Sequence, residues 1–165
     1  MRQRMICMLV VSCLALRLQA RAQQAESQST SCNFEDGNQI TVQYNTSDSS
    51  KDQPRNGKIW APGGKPMVLY TQVPLTLNGA TIPVGAFSMY VLPGKKDWTL
   101  IVNKNVTAGS AYDEKDDIAR GPMELGEIGQ PMKELQVSFA HMAPKQCNIR
   151  IYYGKVGAFG EIDEK

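Results

Sequence analysis

The stretch that most constrains what this chain can fold into is residues 83–104, PVGAFSMYVLPGKKDWTLIVNK. Two runs of alternating β-branched and aromatic residues flank Pro93-Gly94-Lys95-Lys96, a turn cluster that neither strand can continue through, so the pattern predicts a β-hairpin. With a loop of two or four residues, Phe87, Met89 and Val91 share a face with Trp98, Leu100 and Val102, and that face is entirely apolar. The reverse face carries Ala86, Ser88, Tyr90, Thr99, Ile101 and Asn103, a mixed surface that reads as partly wet. A two-stranded hairpin with one apolar face is not stable alone, so the rest of the chain has to supply a second layer.

The remaining sequence supplies strands and almost nothing else. Ile40, Val42 and Tyr44 alternate with Thr41, Gln43 and Asn45, and residues 67–72 form a further extended run. Asn78-Gly79 is the strongest hairpin signal; its register puts Leu75, Leu77, Ala80 and Ile82 on one face and Thr76 opposite Thr81, with Pro74 and Pro83 as bounds. Residues 45–57 are polar throughout and read as a surface loop. Residues 105–126 lose the two-residue period; one helical turn around Tyr112 to Asp117 is expected, stopped by Gly121-Pro122. Alternation returns over residues 132–140, with Leu135, Val137 and Phe139 inward. The end reads as another hairpin about Gly154-Lys155, pairing Cys147, Ile149, Ile151 and Tyr153 with Val156, Ala158, Gly160 and Ile162. About nine short strands and one helical turn make the chain all-β, a single antiparallel β-sandwich or flattened barrel.

The N-terminus reads differently. Arg2 and Arg4 precede an apolar run from Met5 to Leu16, and Ala20-Arg21-Ala22 offers a small-x-small cleavage site, so residues 1–22 form a signal peptide. The run is too short to span a bilayer, and the mature chain offers no transmembrane segment. Lipid anchoring at Cys13 is the rival processing route, since Val10-Val11-Ser12-Cys13 resembles a lipoprotein signal. Residues 23–31 are polar and read as a disordered lead, and residues 32–165 as one domain. The signal holds four of the 18 basic residues and none of the 16 acidic ones, so its removal moves the net charge from +2 to −2. No basic stripe with interleaved aromatics remains, which excludes nucleic acid as a partner. Cys32 and Cys147 are left as the two cysteines of a periplasmic or secreted protein and are expected to pair.

The hairpin segment carries a resemblance. Asn78-Gly79, Pro83-Val84-Gly85-Ala86-Phe87, Pro93-Gly94, Trp98-Thr99, Asn103-Lys104, and Tyr112-Asp113 with Asp117 and Arg120 together resemble the exported bacterial family of domain of unknown function 2911. The resemblance implies an exported all-β domain with no assigned reaction. Many members read Trp-Arg-Thr-Gly-Ala-Asn-Glu where this chain has Trp60-Ala61-Pro62-Gly63-Gly64-Lys65-Pro66, so the Arg and the Glu are missing here.

Few residues suggest chemistry. His141 is the only histidine and could act as a general base, but no nucleophile-elbow serine and no second histidine accompanies it, and the alternative is a strand-end residue bonded to backbone or solvent. Asp113, Glu114, Asp116 and Asp117 form an acidic run without the order of a calcium loop, and it reads as a solvated turn in which Asp117 pairs with Arg120. Trp60, Trp98, Tyr70, Tyr90, Tyr152 and Tyr153 could include a platform for a sugar or peptide. Trp60, beside a Gly- and Pro-rich loop, is the candidate ligand-binding residue among them, and Trp98 is expected in the core. No cofactor or metal is implied. The reading is a non-catalytic envelope module that binds a small molecule, a glycan or an envelope protein. The alternative is a small hydrolase or isomerase built on His141, Arg120 and Asp117, and one cleft holding these with Trp60 would favour it. Intact-mass spectrometry of the exported protein is expected to give a chain starting at Gln23, whereas a lipidated Cys13 would establish membrane anchoring.

Overall fold

Residues 83–104 fold as the predicted hairpin with a four-residue loop, pairing Pro93 with Trp98, Val91 with Leu100 and Met89 with Val102. The computed structural model describes residues 26–165; the expected signal peptide and cleavage site, and Cys13, lie outside them. In chain order the strands are β1 (Ser27–Asn33), β2 (Gln39–Asn45), β3 (Met67–Thr71), β4 (Leu75–Leu77), β5 (Ala80–Ile82), β6 (Gly85–Pro93), β7 (Trp98–Asn103), β8 (Asp117–Ala143) and β9 (Gln146–Glu164). A 3-10 turn, Glu114–Asp116, precedes β8. The strands form one antiparallel sheet in the order β1-β2-β3-β6-β7-β8-β9-β4-β5, open between β1 and β5. The fold is therefore all-β, as the alternation requires.

The sheet folds over because β8 changes partner part-way. Its first residues pair with β7, ending at Met123 opposite Trp98, and from Glu124 onward it pairs with β9. The inward residues of both halves then meet in one core, which includes Val42, Leu69, Met89, Leu100, Ile149 and Ile162. Burying each such side chain contributes about 1.5–3 kcal/mol. The backbone after β2 closes onto β8 through Ser49 N–H to Lys133 O at 2.9 Å and Leu135 N–H to Ser47 O at 2.9 Å. Trp60 exchanges both backbone hydrogen bonds with Val91 and stacks edge-on against Trp98 and Tyr153. Trp98 is buried, as its place on the apolar hairpin face demands. The Asn78-Gly79 turn has φ of 49° and 80°, the two left-handed residues that a tight hairpin needs, and its register is the predicted one.

Four expectations are corrected. The expected disordered lead is a strand from Ser27 onward: β1 pairs with β2 along its whole length, which bonds the backbone groups on that side although Cys32 is its one buried side chain. Gly121-Pro122 does not end an element but sits inside β8. Gly121 faces Leu77, whose side chain occupies the space a Cβ would need, and exposed Pro122 lies where the strand changes partner. Gly154-Lys155 is not a hairpin turn, because β9 runs unbroken through it and the actual turn is at Pro144-Lys145. Inward residues are odd-numbered up to Tyr153 and even-numbered from Ala158, the same parity change that a two-residue turn would give. Finally, the reverse face of the hairpin is largely dry: Ser88, Tyr90, Ile101 and Asn103 are buried.

The Cys32–Cys147 disulfide forms, with a Cα–Cα distance of 6.4 Å, and ties β1 to the start of β9. The bridge spans 115 residues, for which chain entropy gives a stabilisation of somewhat under about 5 kcal/mol. Replacing both cysteines with serine is expected to lower the unfolding free energy by about 2–5 kcal/mol, measured as a shift in the denaturant midpoint.

Candidate functional site

The outward side chains of β2, β3 and β6 alternate with the core set and form the floor of a groove of about 820 Å³. Gln43, Val68, Ser88 and Tyr90 line that floor. Two loops wall it, residues 61–66 on one side and 106–112 on the other. Each loop is held by a carboxylate.

Asp52 holds the first. Its Oδ1 accepts from the Trp60 indole Nε1 at 3.0 Å and its Oδ2 from the Gly63 N–H at 3.1 Å. Gly63, at φ 84°, lies so close to the Asn45 carbonyl that no Cβ would fit, which brings the loop down onto the end of β2.

Asp117 holds the second. Its Oδ1 accepts from Asn103 Nδ2 at 2.8 Å, and its Oδ2 from the Tyr112 hydroxyl at 2.6 Å and from Arg120 at 2.6 and 2.9 Å. Asn103 Nδ2 also donates to the Asp113 carbonyl, and its Oδ1 accepts from the Asn105 N–H at 2.9 Å. Ser88 Oγ donates to the Asn105 carbonyl at 2.7 Å. The loop is thereby fastened at both ends to the reverse face of the central hairpin. Tyr112 reaches the groove from this network and stacks edge-on against Tyr90 at 5.0 Å.

The electrostatics follow. Burial pushes the Tyr112 phenol up to about 12, reinforced by its hydrogen bond to Asp117. Tyr90 is raised as well, by burial first and then by the Asp117 charge. The guanidinium of Arg120 is held protonated chiefly by Asp117. Lys65 is the one charged residue lining the groove, and Asp117 and Arg120 spend their charge on each other behind its wall.

The residues singled out by sequence separate. Asp117 and Arg120 do pair, joined by Glu114 at 2.9 Å from Arg120. His141 is exposed, opposite Cys147 near the far end of β8, and among the described residues no hydrogen bond or ion pair joins it to Asp117 or Arg120. Trp60 is only 5% exposed and its indole edge is taken by Asp52, so it holds a wall of the groove from inside the core. Of the two groove tyrosines, Tyr90 was among the six aromatics that sequence reasoning named for a platform, whereas Tyr112 was not weighed as a site residue although it opens the Tyr-Asp motif. Among the described residues no group of three His, Cys, Asp or Glu side chains converges as a metal site, and no helix is long and apolar enough to cross a membrane.

Comparison with known families matches residues 25–159 to the family described as "Protein of unknown function (DUF2911)". The chain belongs to this family. No curated protein and no solved structure matches it. The DUF2911 region contains the whole groove and both carboxylates that hold its walls. The motif residues Asn103, Tyr112, Asp117 and Arg120 form one network. Ala61 and Pro66, where the resemblance expects Arg and Glu, both line the groove, so this DUF2911 domain has a less charged site than that pattern describes.

The raised Tyr112 phenol has a consequence for stability. Below the ordinary tyrosine range both states are protonated and this group contributes fully. Between about pH 10 and 12 the unfolded chain loses the proton first, so stability falls as pH rises. Denaturant midpoints measured from pH 9 to 11.5 are expected to decline, and Tyr112→Phe to flatten part of that decline.

Proposed function

We propose that this DUF2911 domain is a non-catalytic binding module of the cell envelope whose groove takes a small, uncharged, hydroxyl-rich ligand of the sugar type. The observation that carries the reading is the lining. Hydroxyls and amides of Ser27, Gln43, Asn45 and Ser110 surround the tyrosines of a concave site in which Lys65 is the one charge. Such a site offers hydrogen bonds and apolar contact, with one exposed lysine as its only charge.

Catalysis by His141, Arg120 and Asp117 gains no support from the geometry. The carboxylate and the guanidinium neutralise each other beneath the tyrosine, and the histidine stands apart, so no acid and base face a common reacting position. Export rests on the leader sequence, with which a buried disulfide between Cys32 and Cys147 is compatible.

Ala108→Arg, an exposed change on the groove wall, is expected to weaken sugar binding by about tenfold or more with an unchanged melting temperature. His141→Ala is expected to leave binding as it was. Calorimetric titration with neutral oligosaccharides reads both, and unaltered binding in Ala108→Arg would move the site elsewhere.

A further inference from the structure

Charged residues make up 21% of this chain, yet the outward side chains of β1, β2, β3 and β6 include none. Strand register arranges them in rows. Ser29, Gln43, Val68 and Ser88 form one row, and its last three members line the groove. Ser31, Thr41, Tyr70 and Ala86 form the next, two residues further along each strand and outside the groove. The two rows are about 7 Å apart, twice the rise of a strand residue.

The outer row has the features of a contact surface. Tyr70 is 41% exposed, which sets it apart from the buried Tyr44, Tyr90 and Tyr153. Its hydroxyl donates to Gln43 Oε1 at 3.3 Å, steadying the ring between the rows. Across β2, Ser31 Oγ and Thr41 Oγ1 are hydrogen-bonded at 2.8 Å. Ala86, paired with Tyr70, is small and leaves the ring open on that side.

We propose that this face continues the groove into a track for a neutral polysaccharide chain, with Tyr70 as the stacking platform for the unit next to the one held in the groove. The proposal rests on the groove being a sugar site and names its substrate class. The chemistry favours this occupant over others. An acidic polymer would find Lys65 alone, in the groove, to answer its charges and no cation along the outer row. A protein partner would look for an apolar core, and here one ring is set among hydroxyls and amides. A sugar ring presents both apolar C–H faces and hydroxyls, which is the complement of an exposed tyrosine in a field of Ser, Thr and Gln. Because Tyr70 lies about 7 Å beyond Val68 along β3, only a ligand of several units can touch both.

The test is a panel of immobilised neutral and acidic oligosaccharides, graded from one to six units, probed with the exported protein and with Tyr70→Ala and Tyr70→Trp. Affinity for a neutral series is expected to rise with length. Tyr70→Ala should lose that rise, roughly fivefold or more for the longest members, while binding of the shortest stays within about twofold. Tyr70→Trp should retain it, and raising sodium chloride should leave it unchanged. Neutral sugars bound equally at every length, or equally by Tyr70→Ala, would overturn the track and leave the groove reading standing. Salt-sensitive binding of the acidic series alone would overturn the neutral substrate class. An empty panel would overturn the groove reading and the track with it.

Discussion

The Asp117 carboxylate gathers Asn103 from the end of β7, Tyr112 from the loop that follows it and Arg120 from the start of β8. A carboxylate this poorly exposed has to be paired and hydrogen-bonded, and here four donors meet it. Their convergence makes residues 105–116 a fixed wall and covers the reverse face of the central hairpin. With that face covered, Ser88, Tyr90, Ile101 and Asn103 are buried, and pairing with β3 and β8 sets the hairpin in the middle of the sheet. Asp52 does the same for the opposite wall through Trp60 and Gly63, so each side of the groove is positioned by a carboxylate that does not itself line it.

The two long strands turn this sheet into a two-sided body. β8 leaves β7 at Met123 and continues along β9, and the register between β8 and β9 shifts in three places, where bulges let the paired strands bend over the core. Gly121 leaves room for Leu77, so the short β4–β5 hairpin can seat against β8. The disulfide then fastens β1, an otherwise polar edge strand, to the inward face of β9.

The contrast between Trp60 and Tyr70 shows how strand register, and not an aromatic count, decides which ring is exposed. Both rings stand near glycine, proline or small residues in sequence. Trp60 is drawn into the core because its backbone pairs with Val91 and its indole N–H finds Asp52. Tyr70 sits on the outward parity of β3, where register gives it Thr41 and Ala86 as neighbours. The same parity rule that fills the core with Met67 and Leu69 delivers Val68 and Tyr70 to the groove and its uncovered extension.

Alternation with period two was sufficient, from sequence, for the all-β class, the faces of the central hairpin and the Asn78-Gly79 register, because side-chain direction in a strand is a local property. The disulfide was legible from cysteine count and the leader, and the pairing of Asp117 with Arg120 from their spacing. The family motifs were visible as residues but not as a network, since Asn103 meets Asp117 only after β7 and β8 pair. Where local signals have two solutions, tertiary structure chose. A parity change at Gly154 fits a turn or a bulge equally, and the long β8–β9 pairing selected the bulge. Polar residues from Ser27 onward form a strand only because β2 offers an edge to pair with. The groove depends most on the third dimension: its floor comes from three strands and its walls from two loops distant in sequence, brought together by hydrogen bonds that no single stretch of the chain contains.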